Sequence, residues 1–291
     1  MHASARGWLP LAACITATAC FQVGAALAKG LFPAVGAPGA AAMRLVLGSA
    51  MLLVWARPWR DWPAQPRLGA LAVLGAATAG AILFFYLAIA RLPLGMAIAL
   101  QFIGPLAVAV LGSRRPLDLL WAGLAAAGVW ALVGQGLAAD RLDPLGLAAA
   151  LAAAACWASY ILVGRAAAAS FGRATSALAA TVATVFVLPA GVVHAGAAML
   201  DLSLLPLALL VALVSVAIPF SLELFALPRL PARTFSVLTS TEPMFGALFG
   251  FLVLHERLAE AQLVGVAAVM AAAAGAAWSS AREPSKEVPP T

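Results

Sequence analysis

RLPARTFSVLTSTEP, residues 229–243, has a counterpart earlier in the chain, RLPLGMAIALQFIGP, residues 91–105. In each, an Arg-Leu-Pro triplet is followed by a proline 14 residues after the arginine, and the two stretches are 138 residues apart. A second match lies at offset 136, where Ala19-Cys20-Phe21 with Lys29 corresponds to Ala155-Cys156-Trp157 with Arg165. Alanine-rich stretches resemble one another by chance. Two matches at nearly one offset point instead to an internal repeat, with units at 1–139 and 140–279 and a polar, Pro-rich, disordered tail at 280–291.

The chain around these stretches has 291 residues, 64% of them hydrophobic and 10% charged. Soluble domains carry about 25% charged residues, and a core cannot hide this much apolar surface from water. The composition therefore predicts a polytopic all-α membrane protein. A spanning helix needs about 20 apolar residues. Ten stretches qualify: 8–28, 38–55, 68–90, 94–111, 117–137, 145–163, 174–194, 204–227, 232–254 and 261–278. Breakers separate them, at PWRDWPAQP (58–66), SRRP (113–116), DRLDP (140–144) and PRLP (228–231). A cleaved signal peptide is the alternative reading of the first stretch, since it follows Arg6 and ends in Ala25-Ala26-Leu27-Ala28. The repeat requires the stretch to be retained.

Charge orients the spans. With the N-terminus inside, 12 of the 17 Lys and Arg residues fall on cytoplasmic segments, 4 (Lys29, Arg91, Arg141, Arg257) fall outside, and Arg44 lies within a span. Positive charge stays on the cytoplasmic side, so both termini are predicted to be cytoplasmic. Five spans per unit is an odd number, so the second unit enters the membrane from the opposite side. Ten transmembrane helices as two inverted five-helix repeats is the plan of secondary transporters, with a substrate site near the midplane at interrupted helices.

The net charge of +6 does not point to nucleic acid, because the basic residues sit singly or in pairs between apolar runs. Cys14, Cys20 and Cys156 are odd in number and lie within apolar runs, so neither a disulfide framework nor a metal site is expected. His255-Glu256 lacks the second histidine of a zinc-peptidase motif, and the nucleophile-elbow and phosphate-loop motifs are absent. The residues predict neither an enzyme nor a cofactor.

Three ionisable residues fall within the spans: Arg44, Glu223 and Glu242. Each costs about 2.5–3.5 kcal/mol to place at bilayer depth. Glu242 is ten residues into its span, about 15 Å deep. Desolvation disfavours its charge, so it suits reversible proton binding; the bland reading is a structural pair with Arg44 or a cap on a broken helix. Glu223 is a second proton-coupling candidate, which could instead snorkel or pair with Arg229. Arg44 either binds a substrate carboxylate or pairs with a glutamate.

Pro105 and Pro243 are the expected helix breaks. Each frees the carbonyl four residues earlier, on Gln101 and Thr239, which are equivalent in the repeat. Gly104 is the counterpart of Glu242, so both halves offer a polar group to one cavity but one half alone offers an acid. Ser240 joins Gln101 and Thr239 as a hydrogen-bonding candidate. Tyr86, Trp157 and Tyr160 are candidate aromatic walls, or ordinary packing and interface residues. Gly246-xxx-Gly250 reads as a close helix approach.

The stretches GAALAKGLFPAVGAPGAAAMRLVLG (24–48), ALQFIGPLAVAVLGSRRPLDLLW (99–121), ACWASYILVGR (155–165) and FSLELFALPRLPARTFSVLTSTEP (220–243) resemble the EamA family of the drug/metabolite transporter superfamily. The resemblance covers all ten predicted spans. It is nearest to the bacterial exporters of small neutral amino acids of the threonine and homoserine type. It implies a multi-pass inner-membrane protein that exports such amino acids by proton antiport. Its partners would be the amino acid, protons and membrane lipid. In one departure, those exporters carry a glutamate at the position of Gln101, which moves the proton-coupling role to Glu242 and Glu223. Two other readings stand beside it: export of another metabolite or drug on the same scaffold, and a membrane structural or regulatory protein with no transport cycle.

Overall fold

The computed structural model describes residues 8–111, 116–138, 143–226, 229–230 and 232–280. Among them the regular structure is helical, with no strand. The breakers at 113–115, 140–142, 228 and 231, the first seven residues and the tail from 281 lie outside the described residues.

Local sequence sets most of the boundaries. Helix α1 (Leu9–Ala28) has a proline in its first turn, where a missing N–H costs nothing. A short 3₁₀ turn at Lys29–Leu31 leads into α2 (Phe32–Ala56). This helix begins six residues before the predicted span, because Gly36 (φ 64°, ψ 176°) bends the path ahead of Pro38 without ending it. Glycine is required there twice over: the φ is positive, and a Cβ would meet the His194 Nε2 atom at 2.2 Å. Arg57, with φ 47°, closes α2 at the 58–66 breaker.

Helices α3 (Leu68–Ile89), α4 (Leu94–Gln101), α5 (Ile103–Leu111) and α6 (Pro116–Ala138) follow. The predicted fourth span is thus interrupted at Phe102, three residues before Pro105. Helix α7 (Pro144–Phe171) starts on a formed cap, with the Leu145 and Gly146 N–H groups donating to the Asp143 carboxylate. It runs eight residues past the predicted end. The alanine run 166–169 favours helix, and the turn comes at Gly172, with φ 52°. Helix α8 covers Thr175–Ala195.

The predicted eighth span consists of α9 (Leu205–Ala212), a π turn at Leu213–Ala217 and α10 (Ile218–Ala226). The ninth consists of α11 (Ala232–Thr239) and α12 (Glu242–Leu254), broken at Ser240-Thr241. Helix α13 (Glu260–Ser280) is the last among the described residues.

Small residues allow close packing. Helix α2 lies along α8, α3 along α7 and α8, α6 along α13, and α1 against α10 and α12. The predicted fourth and ninth spans meet where α4 packs on α12. There a Cβ on Gly246 would meet Ile98 at 2.2 Å, and one on Gly95 would meet the Ala247 Cα at 2.7 Å. Of the glycine pair at 246 and 250, Gly246 therefore serves close helix approach, whereas a Cβ on Gly250 would first meet the Glu256 carboxylate at 2.8 Å.

The outer surface is apolar: Val193 is 88% exposed, Leu111 85% and Leu200 81%. Among the described residues, five helical segments are long and apolar enough to cross a membrane: Leu9–Ala56, Leu68–Ile89, Pro144–Leu200, Leu202–Glu223 and Val237–Leu254. Leu94–Val108, Leu119–Leu132 and Glu260–Ala276 are shorter apolar helices.

Candidate functional site

A cavity of about 1070 Å³ enters the bundle, lined by residues of both halves of the chain. It reaches the end that carries Arg165 and Arg173, both exposed. Toward the opposite end it stops at Ile98 and Gln101, and every residue from Leu94 to Gln101 is buried. Beyond that plug a clamp holds the end together. The Lys29 Nζ donates to Glu256 Oε1 at 2.5 Å, and the Leu94 N–H donates to Glu256 Oε2 at 2.7 Å. Arg91 pairs with Asp143 at 3.4 Å on the same side.

Most of the residues that the sequence singles out come together here. Arg44, Gln101, Pro105, Trp157, Tyr160, Glu223, Thr239, Ser240 and Glu242 all line the cavity. Two do not. Tyr86 is fully buried behind the wall, and the adjacent Phe85 takes the lining position. Pro243 is buried in the first turn of α12, off the lining.

The broken ninth span explains how a carboxylate can sit at this depth. Glu242 opens α12 and is 9% exposed. A helix start carries unsatisfied N–H groups and a positive dipole end, both favourable to an acid. Thr241 stabilises the break, its hydroxyl donating to the Leu238 carbonyl at 2.6 Å. Its own carbonyl accepts from the Met244 and Phe245 N–H groups at 3.0 and 3.2 Å. In the fourth span the equivalent Gly104 could not carry an acid, because a Cβ there would meet the Ala154 carbonyl oxygen at 2.1 Å.

The charged groups of the cavity are not paired with one another. Among the described residues the salt bridges are Lys29–Glu256 and Arg91–Asp143, so Glu223, Glu242 and Arg44 stand outside both. The expected alternative partner of Glu223 is turned elsewhere: Arg229 donates to the Phe225 carbonyl at 2.8 Å and stacks over that ring at 4.2 Å. Arg44 instead donates to Ser215, from Nε to the hydroxyl oxygen at 2.8 Å and from Nη2 to the carbonyl at 3.2 Å. Its guanidinium lies 5.7 Å from the Tyr86 ring centre. Trp157 meets Phe102 edge to face at 5.7 Å, which fixes its ring on the wall.

Some of the polar residues around the site were not singled out from sequence. Gln22, buried on α1, lines the cavity beside Phe21. It is a polar residue in an apolar span, next to the repeat counterpart of Trp157, and that was the available signal. Ser49 lines the cavity and accepts from the Thr184 hydroxyl at 3.3 Å. Ser215 could have been found by applying the proline rule to Pro219. Glu256 gave no signal, since its partners are distant in sequence.

Residues 144–278 match the EamA-like transporter family. The threonine/homoserine exporter RhtA of Salmonella typhimurium strain LT2 is 45% identical over 277 residues, covering 95% of this chain and 94% of that one. The RhtA of Escherichia coli K12 is 45% identical over 276 residues, with the same coverage. A solved crystal structure, described only as that of a protein, superposes with a TM-score of 0.60 at 20% identity, over 90% of this chain and 94% of that one. Its likeness supports the fold alone. Identity at this level across nearly the whole length leaves one assignment: the chain belongs to the EamA-like transporter family.

Proposed function

We propose that this protein exports threonine- or homoserine-like small neutral amino acids across the inner membrane, by exchange for protons and with alternating access. The observation that carries the reading is the charge set of the cavity. Arg44, Glu223 and Glu242, none of them in a salt bridge among the described residues, share an otherwise largely apolar interior with neutral hydrogen-bonding groups, while Arg165 and Arg173 line its mouth. A zwitterion needs a cation for its carboxylate and an acceptor for its ammonium before it will leave water. Arg44 supplies the first, and Glu242, with Glu223 on the lining of the same cavity, the second. Gln101, Thr239 and Ser240, which line the same cavity, bond a side-chain hydroxyl in this reading. The names of the RhtA relatives support the same substrate class.

A path of ten passes fits the helices. A straight helix of 48 residues, the length of the Leu9–Ala56 segment, would be about 72 Å long, more than twice the roughly 30 Å hydrocarbon core. That segment and Pro144–Leu200 each hold two passes, and the other three long segments and the three shorter apolar helices one each. Charge asymmetry then puts the Arg165 and Arg173 end in the cytoplasm. The cavity faces inward, and the Lys29–Glu256 clamp closes the outer end.

In this cycle the amino acid enters from the cytoplasm, its ammonium held by ionised Glu242. After the protein opens outward, a proton from outside neutralises Glu242. The ammonium loses its partner and leaves. The proton returns inward with the protein. The test is efflux from proteoliposomes under an imposed pH gradient. Glu242→Gln, which fixes the neutral form, should cut proton-driven homoserine efflux by more than about tenfold, a step of 1.4 kcal/mol, and should raise the homoserine KM for exchange without a gradient. Undiminished proton-driven efflux in that variant would remove Glu242 from the role. Efflux of nucleosides or drugs with none of homoserine or threonine would favour another cargo on the same scaffold.

A further inference from the structure

We infer that Ser215 is a positioning residue for substrate recognition: it holds Arg44 by one edge and leaves the other edge of the guanidinium as the docking face for the amino-acid carboxylate. The inference rests on the cavity's being the amino-acid site.

The argument starts at Pro219. In an uninterrupted α-helix the Ser215 carbonyl would accept the N–H of residue 219, and proline has none. The chain responds with a π turn over Leu213–Ala217, closed by the Ile218 N–H donating to the Leu213 carbonyl. Single π turns inside α-helices are frequent at functional sites. Here the turn presents a backbone carbonyl and a hydroxyl from one residue. Ser215 is 1% exposed, and its hydroxyl proton is committed to the Val211 carbonyl at 2.6 Å. Its oxygen is therefore oriented as an acceptor. Gly24 of α1 makes the room, since a Cβ there would meet the Ser215 Cβ at 2.4 Å.

Arg44 meets this pair with Nε and Nη2, at 2.8 and 3.2 Å. Those two atoms form the side edge of the guanidinium, one of the two edges that grip a carboxylate with parallel bonds. Ser215 occupies it as a neutral stand-in for a carboxylate. Three N–H donors remain, two on Nη1 and one on Nη2, and one from each nitrogen, side by side, makes the end edge. Because the occupant of the side edge is neutral, the charge of Arg44 is not cancelled. A substrate carboxylate then meets a cation already fixed in orientation, and little side-chain entropy is lost on binding.

The experiment measures homoserine transport by purified protein in proteoliposomes, with KM and maximal rate separated. Ser215→Ala should raise KM by about tenfold and leave the maximal rate within about twofold, as expected for the loss of a bond to a charged group. In an Arg44→Gln background the same change should have almost no further effect, because the two act as one unit. Pro219→Ala, which restores the N–H that competes for the Ser215 carbonyl, should raise KM in the same direction. An unchanged KM in Ser215→Ala overturns the inference, as does a full additional loss in the Arg44→Gln background. An equal fall in rate and in stability with KM unchanged marks Ser215 as structural and also overturns it. If the wild-type protein moves no amino acid, the site reading itself fails, and that outcome is distinct from all of these.

Discussion

The acid of the cavity is present in one half of the chain and absent from the other, and a single backbone contact accounts for the difference. Glu242 sits at a helix start with space before it, whereas at Gly104 the α7 backbone lies against the Cα. Gly104→Ala should therefore push α5 away from α7. Overpacking of this kind typically costs about 1–3 kcal/mol. In detergent the variant should unfold several degrees below wild type, with Gly69→Ala, whose Cβ would meet nothing within 4 Å, as the control. Equal melting points for the two variants would refute the packing explanation. The repeat paired Gly104 with Glu242 from sequence, but the reason for the pairing was a neighbour 50 residues away, Ala154.

At the scale of the helix, proline was the most informative residue in the sequence. Its missing N–H marks the carbonyl four positions earlier, a rule that needs no knowledge of the fold. It led to Gln101 and Thr239, and both lie at interruptions on the cavity wall. Applied at Pro219, the same rule marks the Ser215 carbonyl, which accepts from Arg44. The π turn itself was not legible, because an extra residue per turn leaves the hydrophobic pattern of a wholly apolar helix unchanged. Boundaries failed for related reasons: Gly36 and Pro38 signal a stop, yet the helix bends through them. Aromatic side was equally hidden, since Phe85 and Tyr86 are adjacent and only three-dimensional packing decides which one faces the cavity. These interruptions carry a prediction of their own. Pro243→Ala restores an N–H in the first turn of α12 and favours one continuous helix from α11 to α12. Transport turnover should fall by about tenfold while thermal stability holds or rises, since alanine is the better helix former. A variant with full turnover would show that the break at Ser240-Thr241 persists without the proline and owes nothing to it.

For the whole molecule, the two ends of the bundle are held in different ways, and the difference bears on the transport cycle. The end with Arg165 and Arg173 is open to the cavity, while the other is closed by packed α4 and by one carboxylate with two grips. Glu256 holds Lys29, between the first two spans, and the first N–H of α4, while itself following the ninth span. It thus ties the start of the chain to its end at one point. The side chains of the pair are 22% and 17% exposed, so the bond is partly screened and worth on the order of 1 kcal/mol. That is modest for stability but large for a conformational equilibrium, where it amounts to roughly a fivefold change in population. Glu256→Gln keeps an oxygen for the Leu94 N–H and loses the charge that holds Lys29. The protein should then spend more time open at this end. The measurement is labelling of Ala97→Cys, one turn into α4 and fully buried, in a background where Cys14, Cys20 and Cys156 are alanine. A membrane-impermeant maleimide added outside intact cells should react about fivefold faster when Glu256→Gln is also present. Lys29→Met should do the same, and the two together should not exceed either alone, because each breaks the same bond. Labelling that is slow and equal in all four proteins would mean that the plug of α4, and not the clamp, keeps this end shut.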